Sequence, residues 1–223
     1  MNGFLLLDKP SGISSGQCVA IVKKILDQRK VGHCGTLDPL ATGILPISIG
    51  EATKFSSYVS NQNKKYLVKI LFGIETDTGD ITGKEIFRSR TKISMQQLDQ
   101  ALRSFIGKQE QIPPMYSALK HKGKPLYYWA RKGVSLKREP RNICIESIKL
   151  NSLNINKKIE LEVSCSKGTY IRSLVNSIGK YLNSAATVVE LRRTQIGFLS
   201  GENGLVKVTN TSKNKYLENI LHS

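Results

Sequence analysis

The stretch KIELEVSCSKGTYIRSLVNSIGKYL, residues 158–182, changes its hydrophobic period part-way along. Ile159, Leu161, Val163 and Cys165 alternate with polar residues, the two-residue repeat of a half-buried strand over Lys158–Ser166. Gly168-Thr169-Tyr170 then makes a turn, and Ile171, Leu174, Val175, Ile178 and Leu182 recur at helical spacing. The segment Asn142–Leu153 just before it reads as a further strand. Two strands in succession followed by a helix do not fit regular βαβ alternation. The pattern predicts an α+β fold built on a mixed, mostly antiparallel sheet flanked by helices.

Working outward, Gly3–Leu7 reads as a short buried strand that ends at the turn Lys9-Pro10-Ser11-Gly12. Ser14 or Ser15 caps a helix on which Val19, Val22, Ile25 and Leu26 share a face. Val31–Gly50 (VGHCGTLDPLATGILPISIG) has four glycines and two prolines, and reads as an irregular loop leading into a strand around Ile44–Ile47. Glu51–Val59 is expected to be a short helix. Lys65–Phe72 alternates as a strand, with Tyr66, Val68 and Ile70 on one face. Thr76–Asp80 is a polar loop, and Ser94-Met95-Gln96-Gln97 is a capping box that opens a helix carrying Leu98, Leu102 and Phe105. Residues 111–141 form a basic, aromatic insertion with one short helix expected around Leu126–Lys132.

The chain has 223 residues, and 34 Lys and Arg against 17 Asp and Glu leave a formal charge of +17. That excess points to a polyanionic partner: RNA, DNA or an anionic membrane surface. No apolar run approaches the roughly 20 residues needed to span a bilayer, so no membrane-spanning segment is expected. Phe4-Leu5-Leu6-Leu7 is too short for a signal peptide and is followed at once by Asp8. Cys18, Cys34, Cys144 and Cys165 show no CxxC spacing, and His33, His121 and His222 make no ligand pair, so neither a metal site nor a disulfide framework is expected. Reduced thiols fit a cytoplasmic location. With no P-loop and no GxGxxG, nucleotide cofactor binding has no support either.

Asp38 is the most informative carboxylate, because it sits between Leu37 and Pro39 in a Gly- and Pro-rich loop. Pro39 restricts its backbone. Taken alone, such a residue reads as a turn-capping Asp, and only a constellation of residues raises it to a catalytic group. A buried carboxylate needs a cationic or hydrogen-bonding partner to stay ionised. Arg172, Arg192 and Arg193 each qualify, and residue type alone does not choose among them. Lys120, Lys122, Lys124, Tyr127, Tyr128, Trp129, Arg131 and Lys132 interleave cations with rings, which suits phosphate neutralisation and stacking on unpaired RNA bases.

The block Gly32-His33-x-Gly35-Thr36-Leu37-Asp38-Pro39-Leu40-Ala41-Thr42-Gly43 resembles the catalytic motif of the TruB-type tRNA pseudouridine(55) synthases. The resemblance continues in family order. Its further blocks are Gly3–Gly12, Gly50-Glu51-Ala52-Thr53-Lys54, Lys65-Tyr66, Thr76-Asp77-Thr78-x-Asp80, Pro114–Lys120, Cys165–Arg172 and Leu191-Arg192-Arg193. Together they cover nearly all of residues 1–200.

This resemblance implies the pseudouridine synthase fold and a cofactor-free, metal-free isomerisation of uridine 55 in the T-loop of tRNA. It implies Asp38 as the nucleophile, Arg172 as the cation paired with it, and Tyr66 stacking on the flipped base and assisting proton removal from C5. It implies Tyr170 lining the pocket, Leu191 as an apolar wall and His33 holding the loop with the base extruded. Asp80 is expected to hydrogen-bond RNA or the pocket, and Lys9 is counted with the substrate-binding residues. Residues 1–205 are expected to be the catalytic domain, with 111–141 as a thumb closing on the RNA and 206–223 as a short tail. No C-terminal RNA-binding domain of the PUA kind is expected. The protein is expected to be a monomer that needs no obligate protein partner. A catalytically idle RNA-binding protein or tRNA-folding chaperone on the same fold is the competing reading.

Overall fold

The computed structural model describes residues 1–90, 92–154 and 158–207. Strand β1 (Gly3–Lys9) leads to helix α1 (Ser15–Leu26). Ser14 caps α1 reciprocally: its Oγ accepts from Gln17 N at 3.2 Å while Gln17 Oε1 accepts from Ser14 N at 2.8 Å. The short β2 (Val31–His33) precedes an irregular loop, and β3 (Thr42–Ile49) follows. Pro46 lies inside β3, where its carbonyl accepts from Cys34 N at 2.8 Å. The helix expected over Glu51–Val59 divides into a 3₁₀ turn, Gly50–Phe55, and α2 (Ser56–Ser60).

Next come β4 (Lys64–Phe72), the hairpin of β5 (Ile74–Thr76) and β6 (Glu85–Arg88), and α3 (Met95–Ser104), capped by Ser94 in the same reciprocal way as α1. Then follow β7 (Gly107–Gln111), β8 (Lys120–His121), β9 (Lys124–Pro125) and α4 (Leu126–Ala130). The last elements are β10 (Arg141–Asn154), β11 (Lys158–Cys165), α5 (Ile171–Tyr181), β12 (Ala186–Ile196), β13 (Leu199–Ser200) and β14 (Val206–Lys207).

The chain divides into two compact units, Met1–Tyr66 with Leu191 onward, and Leu67–Glu190. In the first, β1 runs antiparallel to β3 from Gly3↔Ile49 to Lys9↔Gly43, and β2 is antiparallel to β3. Two pairs are parallel: β12 with β3 (Arg192↔Thr42) and β14 with β1 (Leu7↔Val206). Ile44, Leu45, Ile47 and Ile196 are buried in its core. Val206 and Lys207, expected in a tail, therefore belong to a strand. The rest of that tail lies outside the described residues.

In the second unit the strand order is β4-β11-β10-β7. The β10–β11 hairpin is antiparallel through Ile148↔Val163 and Leu150↔Leu161, and β7 is antiparallel to β10. Strand β4 alternates as expected, burying Tyr66, Val68, Ile70 and Phe72. Helix α5 buries Ile171, Leu174, Val175 and Ile178. Burial of such aliphatic side chains contributes about 1.5–3 kcal/mol each. The sheet is mostly antiparallel, as the sequence pattern predicts.

Candidate active site

Asp38 sits in the loop between β2 and β3, and the N-terminal segment ties down the main chain of that loop residue by residue. Ser15 Oγ accepts from Leu37 N at 2.8 Å and donates to Leu37 O at 3.0 Å. Gly12 N donates to Pro39 O at 2.8 Å, and Ser11 Oγ donates to Leu40 O at 2.9 Å. Ala41 N donates to Asp38 O at 3.1 Å, which closes a turn on the carboxylate's own residue. Leu37 and Ala41 are buried on either side. Such a loop holds the Asp38 main chain with little conformational freedom.

Two buried cations complete the support. Lys9 is 0% exposed, and its Nζ donates to Pro10 O at 2.7 Å and to Pro39 O at 3.1 Å. Burial lowers the Lys9 ammonium to about 8, with the charges of Cys18 and Asp38 opposing that shift. Arg193 is 1% exposed, and its Nε donates to Ile44 O at 2.8 Å and Nη2 to Gly35 O at 3.1 Å. Gly43 lies against the backbone of Arg193 at φ +97°, where an added Cβ would sit 2.2 Å from Arg193 O. Only glycine tolerates that approach. Arg192 is bidentate to Asp8, at 2.9 and 3.1 Å.

His33 ends β2, and its Nδ1 is buried without a hydrogen-bond partner. Burial, and then the charge of Arg193, pull its imidazole below the usual value, so the ring is neutral at physiological pH. Tyr66 is buried on β4. Leu191 is buried on β12, where its carbonyl accepts from Thr42 Oγ1 at 3.5 Å. The first unit thus contains Lys9, His33, Asp38, Tyr66 and Leu191.

The second unit contains Asp80, Tyr170 and Arg172. Arg172 lies in the first turn of α5 and is 4% exposed. Its Nη1 donates to Thr78 O at 2.6 Å and its Nη2 to Tyr116 O at 2.8 Å, while Nε stands 3.9 Å from Asp80 Oδ2. Asp80 Oδ1 accepts from Thr78 Oγ1 (3.0 Å), Thr82 N (3.0 Å) and Thr82 Oγ1 (2.5 Å). Its backbone bridges to Val188 on β12. The polar turn is thus a rigid socket for the guanidinium. Gly79, at φ +76°, leaves room for Arg172, whose Cβ would stand 3.3 Å from an added methyl. Tyr170 caps α5, and Gln111 holds both of its main-chain groups, accepting from Tyr170 N at 2.8 Å and donating to Tyr170 O at 3.1 Å.

Residues 23–171 match the model of the TruB family pseudouridylate synthase N-terminal domain, about two thirds of the chain. The chain belongs to the TruB family. Among the family's curated proteins it is 51% identical over 197 residues to a tRNA pseudouridine synthase B from Blochmanniella pennsylvanica (strain BPEN), covering 88% of this chain and 75% of that one. It is 48% identical over 196 residues to a tRNA pseudouridine synthase B from Tolumonas auensis, covering 88% of this chain but 60% of the relative. The solved structure of a Cbf5–Nop10–Gar1 complex superposes with a TM-score of 0.73 at 28% identity, covering 92% of this chain and 52% of that one. The chain thus shares its fold with a chain of that complex.

In this TruB-family chain several supporting residues escape sequence reading. Ser15 was legible only as an alternative helix cap, and Gln111 as one polar residue among many. The structure places the Lys9 ammonium within the protein, on the carbonyls of Pro10 and Pro39. Arg192 and Arg193 were open as partners of a catalytic carboxylate, and their hydrogen bonds end on Asp8 and on main-chain carbonyls. Among the described residues no three His, Cys, Asp or Glu side chains gather as a metal site, and no helix is long and apolar enough to cross a membrane.

Proposed function

We propose that this chain is a tRNA pseudouridine synthase that isomerises uridine 55 of the T-loop, with Asp38 as the nucleophile. The observation that carries the reading is the pinned loop: every residue from Leu37 to Ala41 makes a main-chain hydrogen bond that fixes the carboxylate's backbone. Family membership and the names of the relatives support the substrate. In the reaction the uridine leaves the loop stack and its N1–C1′ bond breaks. The base turns, C5 bonds to C1′, the C5 proton departs and N1 gains one. Atoms and electrons balance without a cofactor. The carboxylate divides one difficult displacement into two easier ones through a covalent intermediate. Extrusion costs a few kcal/mol of stacking, offset by contacts to the flipped base and to phosphates.

The roles proposed for the other side chains follow the family resemblance. Tyr66 stacks on the base and assists C5 deprotonation, Tyr170 and Leu191 bound the base, and the neutral His33 contacts RNA without transferring a proton. Arg172 serves catalysis, and the turn of Asp80 orients its guanidinium. Lys9 acts by holding the loop. Residues 1–205 are the catalytic region, and 111–141 are the thumb. The enzyme works in the cytoplasm as a monomer without an obligate protein partner, which sedimentation with and without RNA tests.

The activity test uses a T-arm stem-loop RNA tritiated at C5 of its uridines. The wild type releases tritium, and Asp38→Asn binds the RNA without releasing it. Tight wild-type binding with no release would favour the idle RNA-binding reading instead. Arg172→Ala is expected to lower turnover far more than RNA affinity, and equal losses would refute a catalytic role.

A further inference from the structure

The hairpin of β8 and β9 runs directly into α4, and this places Lys124, Tyr128 and Lys132 at four-residue spacing along one line of the thumb. Lys124 Nζ donates to Tyr128 Oη at 3.2 Å and stands 4.5 Å from the ring centroid. Lys132 Nζ stands 4.8 Å from the same centroid. The neighbouring ammonium groups, Lys132 first and then Lys124, hold the Tyr128 phenol below its ordinary value. Trp129 meets the Tyr128 ring edge-on at 5.5 Å and 88°, bracing it from the side.

Two ammonium groups converge on one tyrosine ring. Among the described residues neither is ion-paired with a carboxylate. Like charges gathered in this way repel, and an anion between them turns the repulsion into attraction. Lys124 and Lys132 are themselves exposed, so a backbone phosphate can reach both. A phosphodiester supplies both negative charge and acceptor oxygens.

We infer that Lys124, Tyr128 and Lys132 form a clamp for a single phosphodiester group of the RNA substrate. The inference rests on the proposed tRNA activity and deepens it: one thumb element neutralises one backbone phosphate with two cations and a phenol O–H. A phosphate seated there carries no base information and fixes the thumb's register along the strand.

The test is a double-mutant cycle on affinity for the T-arm stem-loop RNA over a salt series, using Lys124→Ala, Lys132→Ala and the double variant. If both lysines serve one phosphate, each single substitution weakens binding about tenfold and lowers the salt slope by about one. The double variant is then no more than about twofold worse than either single one, with no further loss of slope. Multiplied losses of about a hundredfold, with the slope falling by about two, mean separate phosphates and overturn the clamp, as does unchanged affinity in both single variants. Tyr128→Phe, which keeps the ring and removes the O–H, is expected to weaken binding several-fold at unchanged slope, and wild-type affinity in that variant removes the phenol from the clamp. Tritium release by the wild type is read in parallel. Its absence counts against the activity, whereas release together with an additive cycle counts against the clamp alone.

Discussion

The loop 34–41 and the segment 111–141 are both irregular and both served by cations, yet they use their charge in opposite ways. Around the loop the cations are buried and committed: Lys9 and Arg193 end on the carbonyls of Pro10, Pro39, Ile44 and Gly35. In segment 111–141 they are exposed and gathered on rings. A buried cation bound to main-chain carbonyls fixes geometry and is unavailable to a ligand. An exposed cation free of carboxylates attracts a polyanion and is screened by salt. The proposed chemistry uses the first kind of site and the proposed capture the second.

The largest effect that would sharpen this contrast comes from Asp38→Asn, which leaves the loop's main-chain bonds in place and removes the proposed nucleophile. Tritium release should fall on the order of 10⁴-fold while RNA affinity stays within a few-fold. A parallel fall in affinity would mean that the loop is a capture element too.

Gly43→Ala attacks the loop's frame. The added methyl meets Arg193 O in a left-handed backbone conformation, so the variant should lose about 3 kcal/mol of stability. Thermal unfolding should report a decrease of about 6–12 °C. A small change would show that β3 and β12 can separate locally at no cost.

Lys9 makes the contrast pH-dependent. Its folded value, about 8, lies below the ordinary 10.5, so the folded state binds fewer protons between those values. The burial cost of the ammonium is complete below pH 8 and is relieved as pH rises through that window, so global stability rises there while the ties to Pro10 and Pro39 weaken from charge-assisted to neutral hydrogen bonds. Wild-type turnover should therefore fall above about pH 8, and Lys9→Met should be about tenfold slower at neutral pH without that alkaline fall. A wild-type profile flat to about pH 10 would show that the charge is dispensable.

The smallest effect belongs to Gln111→Ala, which frees both main-chain groups of Tyr170. Loss of about 1–2 kcal/mol and a several-fold lower turnover are expected, measured by melting and tritium release. An unchanged turnover would leave Tyr170 positioned by α5 alone.

Much of this was readable along the chain. The alternation in Lys65–Phe72, the period change across residues 158–182 and the capping box at Ser94–Gln97 name their own elements, because each depends on neighbours a few residues away. Strand β7 was not readable: Gly-Lys-Gln-Glu-Gln has little apolar alternation, and it is a strand because β10 offers it a ladder. The hairpin of β8 and β9 and the strand β14 escaped for the same reason, since two residues carry no period. At the candidate site Asp38 stood out from its loop composition and family block, but Ser15, Arg193 and Gln111 did not. Their partners lie 22, 158 and 59 residues away.

By itself, then, the sequence determined the element types with strong periods, the basic character of the thumb, and the family block that marks Asp38. Local propensity and charge are properties of short segments. Tertiary structure alone decided which cations are held within the protein and which face outward. Lys9 and Lys124 are the same residue type in similarly Pro-rich surroundings. One is pulled into the first unit by two carbonyls from opposite ends of a 30-residue span, and the other stays on the surface beside a phenol. Burial depends on what the rest of the fold brings near, and that information is spread over the whole chain.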